Sequence, residues 1–214
     1  MHRVCYSSCA NKQNYNNNRS NYDYNNNIES ATFSCPFKEN INQFYEDGTL
    51  SAVSMRADSE TFPAHKIILS SRSPVFKATF TNDMREKASK CIDMPDVDAA
   101  TLRHLLSYIY TNKMPEVEWD EAVDLFRAAD KYELLELKKQ CSSIIMSNIS
   151  RTNIYVLLSL ADTHNEEELY KAVPNFVSRN SDVFKSETWK TFKWENPELA
   201  MEAMERKIYI KNSH

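Results

Sequence analysis

The apolar residues of the chain first take up a regular spacing near residue 37. Phe37, Ile41 and Phe44 recur at intervals of four and three, which predicts one apolar stripe of a short helix. Gly48 follows at the place where such a helix would end, because glycine adopts the left-handed conformation that closes many helices. We therefore expect a helix from about residue 37 to the residue before Gly48.

The pattern then changes to the alternation that is typical of strands. Within residues 50–56, Val53 and Met55 share one face while polar side chains occupy the other, so this segment is predicted to be a half-buried strand. A short turn should lead back into a second strand at 60–62. A third short strand is predicted at 91–94.

Residues 61–80 combine two apolar clusters with a polar break between them. The break reads Ser-Arg-Ser-Pro, and it predicts two short helices that meet at a tight corner. Pro74 suits the first turn of the second helix, where its missing N–H has no partner to lose, and Ser73 suits the capping position before it. The apolar positions on the two sides of the corner are Ile68, Leu69, Val75, Phe76 and Phe80.

The rest of the chain is predicted to be helical, because its apolar residues keep helical spacing. Ser150 is expected to cap a helix over 151–162, and Pro174 should kink or restart the helix predicted over 166–180. A last helix is expected to open at Pro197 and to reach about Lys207. The apolar positions of the three earlier helices are Leu102, Leu105, Leu106 and Ile109, then Trp119, Val123 and Phe126, then Leu134, Leu135, Cys141, Ile144 and Ile145.

Composition excludes several classes of function. Gly48 is the one glycine in the chain, and phosphate-binding loops need several glycines for close backbone approach, so kinases, P-loop NTPases and dinucleotide-binding enzymes are excluded. Five scattered cysteines and five histidines form no metal-binding pattern, so we predict reduced structural thiols, no metal and no cofactor. His65, at a helix start, is expected to cap or pack. An enzyme would need a site assembled only by folding.

Charge and hydropathy bear on partners and on location. The net charge of −4 gives no bulk attraction to nucleic acid, and no apolar run approaches the length that spans a membrane. The N-terminus lacks the apolar core of a signal peptide, so a nuclear or cytoplasmic location is expected. Residues 1–35, rich in Asn and Tyr, are predicted to be a disordered leader, since they hold too little apolar surface to offset the entropy of ordering.

The corner segment carries a family resemblance. Phe62-x-Ala64-His65-Lys66-x-Ile68-Leu69, followed by Ser71-Arg72-Ser73-Pro74-Val75-Phe76, resembles the core signature of BTB (POZ) domains, and the likeness to speckle-type POZ proteins runs from Phe37 to about Glu205. It implies an α+β, mostly helical fold in which a small three-stranded sheet with helical hairpins is followed by helices. By this likeness, 36–147 form the BTB domain, 148–207 a helical BACK-like extension, and 208–214 a frayed tail.

The resemblance also implies a dimer. In this family the helix that carries Phe37, Ile41 and Phe44, together with the Ile68 position, builds a two-fold interface with an identical or related BTB chain. Two aromatic residues on so short a helix are hard to bury within one small domain, which agrees with that use. The alternative is that these side chains cap the core of their own protomer.

A second implied partner is a cullin-three ubiquitin ligase scaffold. Met84 and Glu86 match the hydrophobic-x-Glu element with which adaptors of this family contact that scaffold, and they lie at the matching distance after the signature. A thioether can fill an apolar slot while the carboxylate accepts hydrogen bonds at its edge. Tyr132 is predicted either to border this surface or to belong to the core. The implied function is that of an adaptor for substrate ubiquitination, with an unknown substrate.

Two departures from the family pattern qualify this function. Ala52 replaces the acidic residue that commonly precedes the first-strand valine, which weakens the alternative of a BTB oligomerisation protein in transcription. Speckle-type POZ proteins also carry a substrate-capturing MATH domain, a β-sandwich of on the order of 100 residues. We expect none in the leader of this sequence, so a partner that modulates full-length relatives by heterodimerisation, or a truncated gene model, is a further alternative.

Overall fold

The computed structural model of the chain describes residues 36–82 and 90–211, with the side chains of 36–38, 82, 181 and 206–211 left out. The predicted leader, Met84 and Glu86 lie outside these residues. The three strands are β1 (Val53–Ala57), β2 (Glu60–Ala64) and β3 (Cys91–Asp93). The helices are α1 (Pro36–Asp47), α2 (Lys66–Arg72), α3 (Pro74–Asn82), α4 (Ala99–Thr111), α5 (Trp119–Lys131), α6 (Leu135–Ser147), α7 (Ile154–Thr163), α8 (Glu167–Arg179), α9 (Glu187–Glu195) and α10 (Pro197–Lys211), with a 3₁₀ turn at Ser181–Lys185.

The three strands form one sheet in the order β2-β1-β3. β1 pairs antiparallel with β2 and parallel with β3, so that Met55 lies opposite Phe62 on one side and Ile92 on the other. Val53, Met55 and Ala57 are buried, which confirms the predicted alternation. The parallel pairing was not predicted; it needs a long crossover between the two strands, and α2 and α3 lie within that crossover.

The corner between α2 and α3 is formed as the local sequence predicts. Pro74 opens α3, and the hydroxyl of Ser73 accepts a hydrogen bond of 3.1 Å from the N–H of Phe76. The same hydroxyl donates a hydrogen bond of 2.6 Å to the carbonyl oxygen of Tyr132, at the end of α5. The corner is therefore attached to the helices that follow.

Two physical reasons favour glycine at position 48, directly after α1. Its φ angle is +61°, in the left-handed region that glycine adopts without strain. A Cβ atom at this position would also lie 2.9 Å from Cγ of Pro63, closer than carbon atoms normally approach. The predicted end of the first helix is confirmed, and the neighbouring strand adds a steric reason that the sequence did not show.

The core lies beneath the sheet and between the long helices. The predicted apolar faces of α4 and α5 are buried except at Trp119, which is partly buried, and Phe126 is completely inaccessible. The core extends without interruption into the C-terminal helices, where Leu157, Leu169 and Trp189 are also buried. The largest fully buried side chains in the described part of the chain include Phe76, Met55, Leu69, Leu102, Leu105, Leu106, Leu125, Leu137 and Ile145.

Leu135 was wrongly predicted to belong to the apolar face of α6. The buried stripe of this helix runs through Leu137, Cys141 and Ile145, which are spaced four apart. Leu135 precedes this stripe by two positions, about 200° around the helix. Its side chain is consequently 63% exposed.

Two predicted boundaries in the C-terminal helices also differ from the structure. The hydroxyl of Ser150 accepts from the N–H of Asn153 at 3.2 Å while the side-chain oxygen of Asn153 accepts from the N–H of Ser150 at 2.7 Å. This reciprocal capping holds 151–153 as a turn, so α7 begins at Ile154, later than predicted. α10 extends to Lys211 rather than ending near Lys207. At Pro174, which is buried within α8, the helix does not restart, so of the two predicted alternatives the kink stays a prediction.

Candidate dimerisation surface

An apolar groove of about 350 Å³ lies where α1, α2 and the C-terminal end of α4 meet. Four isoleucines line it: Ile41 from α1, Ile67 and Ile68 from α2, and Ile109 from α4. Two of the residues that the sequence assigned to an interface, Ile41 and Ile68, therefore share one groove. Both are partly buried and pack against the core while they remain accessible from outside.

The groove keeps its shape because His65 ties three segments together. A carbonyl oxygen can only accept, so the 2.7 Å contact between Nε2 of His65 and the carbonyl of Thr49 places the ring hydrogen on Nε2. The hydroxyl of Tyr110 then donates to Nδ1 at 2.7 Å and accepts from the backbone N–H of His65 at 2.9 Å. These bonds join the turn after α1, the start of α2 and the end of α4.

This network assigns His65 a structural role. Its side chain is 7% exposed and makes no capping hydrogen bond to α2, so of the two predicted roles it packs rather than caps. Burial raises the pKa of Tyr110 to about 12, although the hydrogen bond from the backbone of His65 opposes that rise. The phenol of Tyr110 therefore stays protonated and remains a donor at neutral pH.

The polar rim of the groove depends on a left-handed residue. Asn112 has a φ angle of +56° and closes α4, with its N–H donating to the carbonyl of Tyr108 at 2.8 Å. Its side-chain oxygen accepts a hydrogen bond from Nη2 of Arg72. The guanidinium of Arg72 also lies 5.5 Å from the centre of the Tyr108 ring, while its buried Nε has no hydrogen-bond partner among the described residues. Arg72 and Asn112 thus fix the rim without filling the groove.

α1 presents a half-buried face beside the groove. The ring of Phe44 lies 5.9 Å from that of His65, and Tyr45 stacks on Tyr110 at 4.9 Å. Phe44 and Ile41 are neither fully buried nor fully exposed, so their protomer covers only part of their surface. The side chain of Phe37 lies outside the described residues. The use of Phe37, Ile41, Phe44 and Ile68 in an interface stays a prediction.

Sequence reasoning missed Ile67, although its side chain is 80% exposed. In the first turn of α2, Leu69 is completely buried and Ile68 is half-buried. Neighbouring residues of a helix point about 100° apart, so three consecutive apolar residues cannot all face the same core. That run of three, Ile67-Ile68-Leu69, is the signal from which an exposed apolar side chain could have been inferred.

The structure places Tyr132 in the core, one of the two alternatives left open by the sequence. Its ring stacks on Phe76 at 4.6 Å, its hydroxyl donates to Sδ of Met94 at 3.2 Å, and 7% of its surface is exposed. Burial raises its pKa, against the opposing effect of Lys131. Met84 and Glu86 lie outside the described residues. A cullin-binding role for Met84, Glu86 and Tyr132 stays a prediction.

Other candidate chemistry was sought in the described part of the chain. No three His, Cys, Asp or Glu side chains of residues 36–82 and 90–211 come close enough together to hold a metal ion. Cys141 is buried, and burial raises the pKa of its thiol to about 12, which makes it a poor nucleophile at neutral pH. Over the same residues, no helix has the length and apolar character needed to cross a membrane.

Comparison with known proteins identifies the family. Mouse TD and POZ domain-containing protein 4 is 31% identical over 171 residues, which are 79% of this chain and 46% of the mouse protein. The chain thus spans less than half the length of that relative. The solved BTB domain of zebrafish PATZ1 is 26% identical and aligns over 60% of this chain and all of that one, with a TM-score of 0.47. The BTB/POZ domain model matches residues 41–149, just over half of the chain, so this protein belongs to the BTB/POZ family of protein-interaction and dimerisation modules.

Proposed function

We propose that the chain is a dimerising BTB adaptor that binds a second BTB chain through the groove and the adjoining face of α1, and that docks onto a cullin-three ubiquitin ligase scaffold. The observation that carries the first part is the apolar groove, in which Ile41 and Ile68 are half-covered by their own protomer. Such a module works by holding its partners at a fixed geometry rather than by catalysis.

The energetics favour association at this face. Removing apolar surface from water stabilises a complex by about 25 cal/mol per Å², and a stable interface buries roughly 800 Å² on each partner. α1 and α2 contribute Ile41, Ile67 and Ile68 to a preformed groove, and the His65 network joins the segments around it. Little conformational entropy is then lost on binding, because the groove exists before the partner arrives.

A double substitution tests the dimer. The intact chain, of 24.9 kDa, is expected to show twice that mass by light scattering at micromolar concentration. Ile41→Asp combined with Phe44→Asp should return the mass to that of one chain, because two carboxylates would have to be buried at the interface. Leu135→Asp is the matched control, since this exposed leucine lies on α6, which contributes no residue to the groove. A monomeric wild-type chain would contradict the proposal.

The cullin-three part of the proposal is supported by the sequence of the segment after α3. Met84 and Glu86 follow the BTB signature at the family distance, and the two side chains combine an apolar anchor with a directional acceptor. α3, which precedes that segment in the chain, is attached through the hydroxyl of Ser73 to the end of α5.

Calorimetric titration with a purified cullin-three fragment tests this assignment. Met84→Ala combined with Glu86→Ala should weaken binding by about 2 kcal/mol or more if both residues are central anchors. Arg85→Ala is the control, because the family element places no requirement on the residue between them. Undiminished binding of the double variant would refute the assignment. Affinity purification of the intact chain further distinguishes this adaptor function from a transcriptional one. An adaptor should recover cullin-three, whereas a transcriptional BTB protein would recover co-repressor subunits.

A further inference from the structure

A second cleft, of about 380 Å³, lies between the C-terminal ends of α6 and α8. We propose that this α6–α8 cleft binds an extended segment of a partner protein in which an apolar side chain lies close to a carboxylate. In the described part of the chain, the cleft shares no lining residue with the apolar groove at α1 and α2. The proposal therefore goes beyond the dimer and the cullin contact, and it does not depend on either.

The floor of the α6–α8 cleft is apolar and only partly covered. Met146, Ile149 and Phe176 line it, pack against the core and stay partly exposed. The volume lies near the lower end of the roughly 300–1,000 Å³ that pockets for small ligands span, so the cleft accepts a few side chains rather than a whole helix. Removing such side chains from water supplies the main attraction.

The rim of the α6–α8 cleft carries a cation. Arg179 lies in the last turn of α8 and is exposed, and no described residue forms an ion pair or a side-chain hydrogen bond with it. Asp182, which follows in the 3₁₀ turn, is paired with Arg151 at 2.7 Å. Asn175, one turn before Arg179, has an exposed side-chain amide that can donate to and accept from a peptide group. A carboxylate beside an apolar side chain therefore complements this rim.

The two helix ends that border the cleft are capped, which limits their effect on an anion. Carbonyl groups at the C-terminus of a helix repel negative charge. Nδ2 of Asn148 donates to the carbonyl of Ile144 at 2.9 Å, at the end of α6. Nδ2 of Asn180 donates to the carbonyl of Phe176 at 3.0 Å, at the end of α8. The guanidinium of Arg179 is therefore the charged group that a partner meets at this rim.

The cleft lies at the opposite end of α6 from the turn between α5 and α6. Lys138, near the start of α6, pairs at 3.3 Å with Glu166, which precedes α8. Met146 and Phe176 line the cleft near the other ends of these helices, so the two helices run side by side in the same direction. α6 has 13 residues and is about 20 Å long. Because Ser73 attaches α3 near the start of α6, a partner in the cleft is expected to be distinct from the cullin-three scaffold.

The first test screens a library of capped hexapeptides against the intact chain. Selected sequences should be enriched in Leu, Ile, Met or Phe with Asp or Glu close by. In the Arg179→Glu chain, the preference for acidic residues should change to one for Lys or Arg, because the charge of the rim is reversed. Lys193→Glu is the matched control, since this exposed lysine of α9 lies outside the cleft, and it should select the same sequences as wild type.

The second test measures the dissociation constant of the most enriched peptide by fluorescence polarisation. Arg179→Glu should raise it at least about fivefold, and Arg179→Lys, which keeps the charge, should raise it less. Ala172 lines the cleft, so Ala172→Phe should partly fill it and raise the constant at least about 10-fold. Circular dichroism should show Arg179→Glu folded as wild type, because this side chain is exposed.

Three outcomes would overturn the proposal. The first is a wild-type chain that enriches no such sequence, and the second is an acidic preference that Arg179→Glu retains. The third is displacement of the peptide by a purified cullin-three fragment, which would make the cleft part of the cullin contact. A chain that is monomeric, or that binds no cullin, leaves the expected peptide selection unchanged, so failure of the proposed function is distinguishable from failure of this inference.

Discussion

Ser73 shows how one side chain can serve both local and distant structure. Its hydroxyl accepts from the N–H of Phe76, three residues on, which is the helix cap that the local sequence predicts. The same hydroxyl donates to the carbonyl of Tyr132, 59 residues later in the chain. The residue is 1% exposed, so water cannot replace either bond.

Ser73→Ala should therefore lower the free energy of unfolding by about 2 kcal/mol, because it leaves a buried donor and a buried acceptor without partners. Urea denaturation at one fixed protein concentration measures this change. Ser71→Ala provides a nearby control in the preceding helix, since the hydroxyl of Ser71 is exposed and bonds only the carbonyl of Ile68 among the described contacts. The control should change stability by less than about 0.5 kcal/mol. Equal effects of the two substitutions would contradict the argument.

At the scale of elements, a charged cluster joins the hairpin of α5 and α6 to the turn between α7 and α8. The carboxylate of Asp130 lies 2.7 Å from Nζ of Lys138 and 2.7 Å from Nδ1 of His164. Nζ of Lys138 also lies 3.3 Å from Glu166. Lys138 and His164 both pack against the ring of Phe126, at 5.2 Å from its centre. The cluster thus covers the core at the boundary between the predicted domain and its extension.

The protonation of this cluster links its stability to pH. Burial acts to raise the pKa of Asp130, but the hydrogen bonds from Lys138 and His164 outweigh it and hold that pKa below its ordinary value of 3.8. For Lys138, burial acts to lower the pKa, and the pairs with Asp130 and Glu166 raise it. Because the pKa of Asp130 is lower in the folded state, its contribution is present above pH 3.8 and is lost as pH falls through the folded value.

Lys138→Met should lower the free energy of unfolding by about 1–2 kcal/mol at pH 7, since it leaves the carboxylates of Asp130 and Glu166 without the lysine cation. The effect should be smaller than for a fully buried pair, because these carboxylates are partly exposed. The difference from wild type should be smaller at pH 3 than at pH 7, because the attraction is lost as pH falls through the lowered pKa of Asp130 and that carboxylate is protonated. Lys139→Met is the control, because its pair with Glu136 is about three-quarters exposed. A difference that is equal at pH 7 and pH 3 would assign the effect to packing.

At the scale of the whole molecule, the described residues 36–82 and 90–211 belong to one compact unit. Contacts between α6 and α8, and the core shared by the hairpin and the later helices, account for this. The division at residues 147 and 148 into a BTB domain and an extension stays a prediction. The continuous core instead favours unfolding in a single transition.

Two tryptophans allow that expectation to be measured. Trp119 lies in α5, where its Nε1 donates to the carbonyl of Ile145 at 3.3 Å, and the buried Trp189 lies in α9. In Trp189→Phe the partly buried Trp119, and in Trp119→Phe the buried Trp189, should report the same urea midpoint as circular dichroism of that variant. Trp194 is 88% exposed and changes its surroundings little on unfolding. Separate midpoints within one variant would show that the extension unfolds independently.

The candidate interface was predictable only where the family resemblance supplied it. Ile41 and Ile68 were assigned on that basis, and the structure brings them together in one groove. Arg72 and Asn112 were not identified, because their contact joins residues 40 positions apart and depends on the left-handed conformation that ends α4. The exposure of Ile67 likewise depends on how α2 is rotated against the core. That rotation buries the side chain of Leu69 and leaves Ile67 exposed.

The sequence by itself determined the elements whose causes are local. The Ser-Pro corner, the glycine after α1 and the alternation in β1 each follow from residues within one or two turns of chain. The tertiary structure alone decided the parallel pairing of β3, the hydrogen-bond network around His65 and the groove itself. These features join residues far apart in sequence, and their free energy exists only when the whole chain has brought the partners together.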